Sequence, residues 1–329
     1  MFLVFFVFTS IFTVSLVFNI YLFLVIFAQP DKNKLPTVYI YNMIISSSVD
    51  IVIMFLTFLM PMAMDDVSYG EFRQSFGPIL TINCTFFYEH PLYLTLLMII
   101  QRIYAVFQPF NRHFTTGKLW IYCAIMAIFS WISLLIPYFS DCPVNINQRT
   151  FSFAVECPQR HPITLFQNRY LIVLPFTTML LNISLIFYLA LQKSLVLKNS
   201  VGNSSEFSFW KKIINVRSAT SNTSTTRPIF QRSRQRQSFE KMLLFQSIST
   251  TAFLLLYEVS SFFIRNFTAE YMSLSEDLRR WIFYIRLTPT ALFCYLIYYI
   301  GTPSIRRLLI ERTRLLVKGS YEATTVIVM

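Results

Sequence analysis

The 329-residue chain is 55% hydrophobic and only 13% charged, where soluble domains carry about 25% charge. Six Gly and 14 Pro exclude collagen-like and glycine-linker classes, and 35 Phe with 18 Tyr suit a chain whose solvent is lipid. The net charge of +12 would fit a nucleic-acid binder, but the excess gathers in loops beside apolar stretches, as membrane insertion demands, so no nucleic-acid partner is expected.

A helix needs roughly 20 apolar residues to cross a bilayer. By that measure the chain reads as an all-α bundle of seven transmembrane helices over residues 1–301, with spans at 2–27, 37–63, 79–107, 118–139, 169–191, 239–264 and 281–300. Residues 2–27 carry no charge and no basic leader, and they exceed the 7–15 residues of a signal-peptide core, so they are expected as an uncleaved first span. Lys32 and Lys34 follow at once, which places the N-terminus outside and the C-terminus in the cytoplasm.

Residues 64–77, with Asp65, Asp66 and Glu71, then form an outer loop, and 140–168 form a longer one holding Cys142 and Cys157. Residues 192–238 are basic and rich in Ser, Thr and Asn, too polar to bury a core, and form a cytoplasmic loop whose ends extend the flanking helices. The tail, 302–329, sets Arg306, Arg307, Arg312, Arg314 and Lys318 among leucines, which suits an amphipathic helix on an anionic inner leaflet.

Ionisable residues at the centre of a span cost about 2.5–3.5 kcal/mol each on insertion scales, so each needs a reason. Asp50 is either a packing hub bonded to Asn19, Asn42 or water, or an ion-linked switch. Glu258 and Arg286 lie at similar depth on neighbouring helices and are expected to pair, or to contact ligand. Glu89 and His90, with Tyr93, Tyr257 and Tyr284, are candidates to line an outward-facing aromatic pocket with polar anchors. Arg102 either snorkels to the inner face or works there on a partner.

The cysteines Cys84, Cys123, Cys142, Cys157 and Cys294 form no CxxC, so no metal site is expected. Cys142 and Cys157 face an oxidising compartment and one local pairing joins them. Asn266-Phe267-Thr268 is a glycan acceptor in an outer loop. No nucleophile elbow, phosphate loop or HExxH is present, and neither enzyme activity nor a cofactor is expected.

The run Gln101-Arg102-Ile103-Tyr104-Ala105-Val106-Phe107-Gln108-Pro109-Phe110 resembles the DRY…PF foot of the third helix in rhodopsin-like G-protein-coupled receptors, with Arg102, Val106, Pro109 and Phe110 in register. Asn42 with Asp50 resembles that family's second-helix pair, Asn19 its first-helix asparagine and Pro175 its fifth-helix proline. The layout is similar to that of nematode serpentine chemoreceptors of the class x, xa or v groups. The resemblance implies a plasma-membrane receptor, ciliary in sensory neurons, that binds an extracellular small molecule or peptide and signals to a heterotrimeric G protein. It implies switch or coupling roles for Asp50, Gln101, Arg102 and Tyr298, and a disulfide from Cys84 to Cys157 (or to Cys142) stapling the outer loop over the pocket.

This sequence departs from that pattern in places. Gln101 and Ile103 replace the acid and the tyrosine, the sixth span has no CWxP, and of NPxxY only the tyrosine, Tyr298, remains. With Gln101 in place of an acid, Arg102 is expected to lack its neighbouring ionic restraint and the receptor to signal basally. The alternative reading is a seven-span ligand-gated channel or transporter subunit, which would pass current without a G protein.

Overall fold

The computed structural model describes residues 2–29, 36–108, 113–141, 144–147, 152–155, 161–202 and 226–327. In chain order these form α1 (Phe2–Phe27), α2 (Thr37–Met54), α3 (Asp66–Phe107), α4 (Thr116–Tyr138), the strands β1 (Val144–Asn147) and β2 (Ser152–Val155), then α5 (Pro162–Tyr170), α6 (Val173–Gly202), α7 (Thr226–Asn266), α8 (Thr268–Ser273), α9 (Glu276–Ala291) and α10 (Pro303–Ile327). Six of the helices are long and apolar enough to cross a membrane. The seventh crossing is α9, broken at Leu292 and resumed as a π-turn over Tyr295–Ile300. Pro289 lies just before that break and removes a backbone donor from the helix.

α1 is apolar on every side and carries no Gly or Pro to interrupt it. One face buries Val4, Phe8, Phe12, Leu22 and Ile26, while Leu3, Phe6, Val14 and Leu24 stay exposed. Ile121, Ile125 and Phe129 on α4 and Ile183 and Phe187 on α6 are likewise bare. An exposed apolar surface of that extent is what a lipid solvent covers. A small core cluster of Ile82, Phe86 and Leu134 lies between α3 and α4, and two large ones fill the bundle. One joins α1, α2 and α9 through Phe8, Phe12, Met54, Phe58, Phe283 and Tyr284. The other joins the helices further along, around Met43, Leu94, Met98, Leu254, Ile297 and Tyr298.

The longest departure from expectation is α3. Residues 64–77 do not form a loop: the helix begins at Asp66 and runs 42 residues, about 63 Å at 1.5 Å per residue, twice the hydrocarbon thickness. Its first turns therefore stand clear of the membrane, which explains their charge. Asp65 sits extended at the N-cap with Asp66 in the first turn, where negative charge suits the helix dipole. The Ser68 hydroxyl holds the Asp65 carboxyl below the usual carboxylate range.

The connection after α4 contains a hairpin, β1 pairing antiparallel with β2 in the register Val144↔Val155 to Asn147↔Ser152. It lies against α3 at Gly77. Asn145 is buried there, its amide donating to the Arg73 carbonyl at 3.2 Å. A Cβ on Gly77 would lie 2.3 Å from Asn145 Oδ1, so only glycine admits this approach. α5 follows with the His161 ring capping the Ile163 N–H and Pro162 at its first position. The tract expected at 192–238 is helical at both ends, α6 continuing to Gly202 and α7 starting at Thr226. Residues 203–225 lie outside the described residues.

At the opposite end of the bundle the chain turns from Ile300 into α10. The buried Thr302 hydroxyl donates to the Ile297 carbonyl at 2.8 Å. α10 buries Ile305 and Leu309 against the core, as an amphipathic helix should. The Tyr21 hydroxyl on α1 ties it down, donating to the Leu309 carbonyl at 3.1 Å and lying 2.6 Å from Thr313 Oγ1.

Candidate functional site

The polar residues of the spans fall into an outer group, a middle group and an inner chain. The outer group joins α3, α7 and α9. The Tyr88 hydroxyl donates to the Glu258 carboxylate. The Tyr88 and Tyr257 rings lie 4.6 Å apart. The Arg286 guanidinium stacks over Tyr257 at 5.0 Å and over Phe283 at 5.6 Å. The expected Glu258–Arg286 ion pair is corrected by this arrangement: the acid is taken by Tyr88, the cation by aromatic faces. Arg286 Nε is buried with no hydrogen-bond partner among the described residues. Charge on Arg286 still reaches Glu258 through space.

The other expected pocket residues do not join that cluster. Glu89 faces α4, where the Ser130 hydroxyl lies 3.4 Å from its carboxylate. Tyr93 also faces α4, with its ring edge-on to Phe129 at 6.4 Å. His90 faces α2, its Nδ1 2.7 Å from Ser46 Oγ, and its Nε2 is buried without a partner among the described residues. Tyr284 is buried and turned toward α2, donating to the Phe58 carbonyl at 2.9 Å. A single outward pocket lined by all seven expected residues is therefore not what the fold builds. Residues 88 to 90 point successively to three neighbours because each step along a helix turns the side chain by 100°.

In the middle group Asp50 is 2% exposed and its Oδ1 has no partner among the described residues. The expected hub with Asn19 and Asn42 does not form. The Asn19 amide donates instead to Ser47 Oγ at 3.1 Å, and the Asn42 amide to the Val38 carbonyl at 2.8 Å. Asp50 is within electrostatic reach of Cys84 and Tyr257.

Cys84 is a free thiol packed with the core of α1, α2 and α9, so the expected staple from it is corrected. The reason is the early start of α3: Cys84 lies some five turns into the helix, not at its outer end. Cys142 and Cys157 lie outside the described residues. Cys123 and Cys294 are buried free thiols. Asn266, the expected glycan acceptor, is exposed at the end of α7 with its amide on the Phe262 carbonyl. Among the described residues no cluster of His, Cys, Asp or Glu could hold a metal ion.

The inner chain is the most connected. Arg102 on α3 is 6% exposed, and its Nη1 donates to Asn182 Oδ1 on α6 at 3.1 Å. The Ser247 hydroxyl on α7 donates to the same oxygen at 3.1 Å, and the Asn182 amide is fixed by the Thr178 carbonyl at 2.9 Å. The adjacent Gln246 amide donates to the Tyr298 hydroxyl in the π-turn at 2.9 Å. The Tyr39 hydroxyl on α2 donates to Gln101 Oε1 at 2.8 Å. Buried polar groups at this depth must be satisfied by neighbouring helices, and here most are, although Gln246 Oε1 is buried with no partner among the described residues. Of the expected switch residues, Gln101, Arg102 and Tyr298 stand in this chain and Asp50 stands apart from it. Arg102 was expected to lack the ionic restraint of a neighbouring acid; its partner here is the neutral Asn182 amide oxygen on α6. Tyr39, Asn182, Gln246 and Ser247 were the missed partners. Their signal was polar side chains within membrane spans, Asn182 on α6 and the adjacent Gln246 and Ser247 on α7.

The family model described as Caenorhabditis serpentine receptor-like protein, class xa, matches residues 34–183. The chain is 31% identical over 290 residues to Serpentine receptor class XA 10 of Caenorhabditis elegans, covering 86% of this chain and 81% of that protein. The crystal structure of squid rhodopsin shares the fold, with a TM-score of 0.60 over 94% of this chain and 83% of that one at 14% identity. The multi-pass helical bundle, the helix order and these matches lead to one assignment: the chain belongs to the class xa serpentine receptor family.

Proposed function

We propose that this receptor takes a chemical cue from outside the cell, at the plasma membrane, and passes it to a heterotrimeric G protein, with its N-terminus outside. The observation that carries the proposal is the inner polar chain. Through Arg102, Asn182 and Ser247 it joins α3, α6 and α7, and through Gln246 and Tyr298 it joins α7 to the seventh crossing. Helices tied by a few discrete hydrogen bonds have two packed arrangements, and a ligand that favours one shifts the population.

The cue would act on the outer group, where Tyr88 and Glu258 tie α3 to α7, and Arg286 brings α9 against Tyr257 of α7. The Ser/Thr-rich basic tract, the amphipathic α10 and the basic tail then face the cytosol, and the glycan acceptor Asn266 faces out.

The test is expression with a promiscuous Gα subunit and a panel of small-molecule and peptide cues, with epitope tags on both termini. The proposal expects a second-messenger response and a C-terminal tag reached only after permeabilisation. Cue-evoked current that persists without any G protein would support a channel instead.

A further inference from the structure

The outer group, taken as the place where the cue acts, also constrains the chemistry of the cue. The Arg286 guanidinium lies over the Tyr257 and Phe283 rings at 5.0 and 5.6 Å. Ring faces answer its charge but leave its planar fork of N–H donors unmatched. Its Nε is buried with no hydrogen-bond partner, and no carboxylate pairs with it among the described residues. A guanidinium inside a span is costly, and it is kept where the bundle interior gives it work.

Glu258 is 4% exposed. Tyr88 donates to its Oε1, and its Oε2 accepts no hydrogen bond among the described residues. One hydroxyl leaves a carboxylate with most of its acceptor capacity. Arg286 and Glu258 act on each other through space yet do not touch, because the acid is drawn to α3 and the cation to the ring faces. A donor fork and an acceptor oxygen are thus set near one another among Tyr88, Tyr257 and Phe283.

A lone carboxylate would pair with the fork but bring a second negative charge beside Glu258. A lone ammonium would pair with Glu258 but bring a second positive charge beside Arg286. A molecule carrying both leaves each buried charge paired, and the surrounding rings suit an apolar body. We propose that the cue recognised by the outer group is an apolar zwitterion, its carboxylate held by Arg286 and its ammonium by Glu258. A free amino acid and a short peptide with free termini share that chemistry.

The experiment uses the full-length receptor in lipid nanodiscs with photoleucine, a diazirine-bearing amino acid, and two analogues, one lacking its amine and one its carboxylate. Labelled peptides are mapped by mass spectrometry. Saturable photoleucine labelling is expected on the peptides carrying Tyr88, Tyr257 and Phe283. Each analogue should label them about tenfold less, the effect of losing one charge-assisted hydrogen bond. Arg286→Gln should weaken photoleucine labelling by a similar factor. In Glu258→Gln the analogue without the amine should label as well as photoleucine does. Stronger competition by leucine identifies a free amino acid as the source, and stronger competition by leucylleucine a short peptide.

No saturable labelling of these peptides, or equal labelling by either analogue on the parent receptor, would overturn the proposal whatever the variants do. Equal labelling by an analogue leaves the outer group as the place where the cue acts, whereas saturable labelling elsewhere removes that place too. The readout is binding alone, so a failure of G-protein coupling appears in the Gα assay and not here.

Discussion

Arg102 and Ser247 meet on one atom: both donate to Asn182 Oδ1, each at 3.1 Å, so a single side chain on α6 holds α3 and α7 together. Asn182→Leu removes that acceptor with little change in volume and leaves a buried cation short of a partner. The expected loss is about 1–3 kcal/mol of bundle stability. It should appear as a lower melting temperature of the solubilised receptor and a higher basal signal. Asn182→Asp keeps the acceptor and should hold Arg102 at least as firmly, giving a low basal signal.

At the outer end the acid and the cation do not touch, so charge reversal of both should fail to rescue either. Glu258→Arg and Arg286→Glu are each expected to reduce surface expression, and the double variant to remain as poor as the worse single. Flow cytometry of an N-terminally tagged receptor reads this directly. Tyr88→Phe should itself destabilise the receptor by roughly 1.5–3 kcal/mol, the range for a hydrogen bond to a charged group, because Glu258 then loses its donor.

Gly77→Ala places a methyl group where Asn145 Oδ1 sits, 2.3 Å away. The Asn145 amide must then turn away and give up the Arg73 carbonyl, which loosens the hairpin on α3 at a cost of about 1–3 kcal/mol. Hydrogen exchange in β1 and β2 should quicken in this variant. Adding Asn145→Ala clears the space and should return the exchange toward the parent rate.

Tyr21→Phe removes the hydroxyl that reaches the Leu309 carbonyl and Thr313. A loss of about 0.5–1.5 kcal/mol is expected, confined to the contact between α1 and α10. A spin label on the exposed Arg314 should gain mobility while the melting temperature of the bundle hardly moves.

Much of the bundle was legible in the sequence because a lipid solvent writes its demands plainly. Residues 2–27 are helical to the residue, the expected second span of 37–63 is α2 continued through a π-turn (Phe55–Leu59) and a 3-10 turn (Met60–Ala63), and the fourth span differs from α4 by a residue or two. What failed was polarity used as a sign of loop. Gly70, Gly77 and Pro78 with Asp66, Glu71 and Arg73 read as a connection, yet they belong to a helix that leaves the membrane and meets a hairpin. The hairpin itself depends on contact with Gly77, which no local pattern announces.

The site residues were legible in kind but not in pairing. Arg102 and Tyr298 were visible by type, and both are buried in the inner chain. Their partners Asn182 and Gln246 lie 80 and 52 residues away. Glu258 and Arg286 matched by depth and charge, but depth does not say which way a side chain turns about its helix axis. The nearer tyrosine took the acid.

The central claim is that Arg102 and Asn182 govern coupling to a G protein, and energy transfer between tagged Gα and Gβγ in cells expressing equal surface amounts of each receptor tests it most directly. The account predicts that Arg102→Ala abolishes subunit dissociation, while Asn182→Leu raises it without any cue. Dissociation unchanged in both variants at equal surface expression would contradict it.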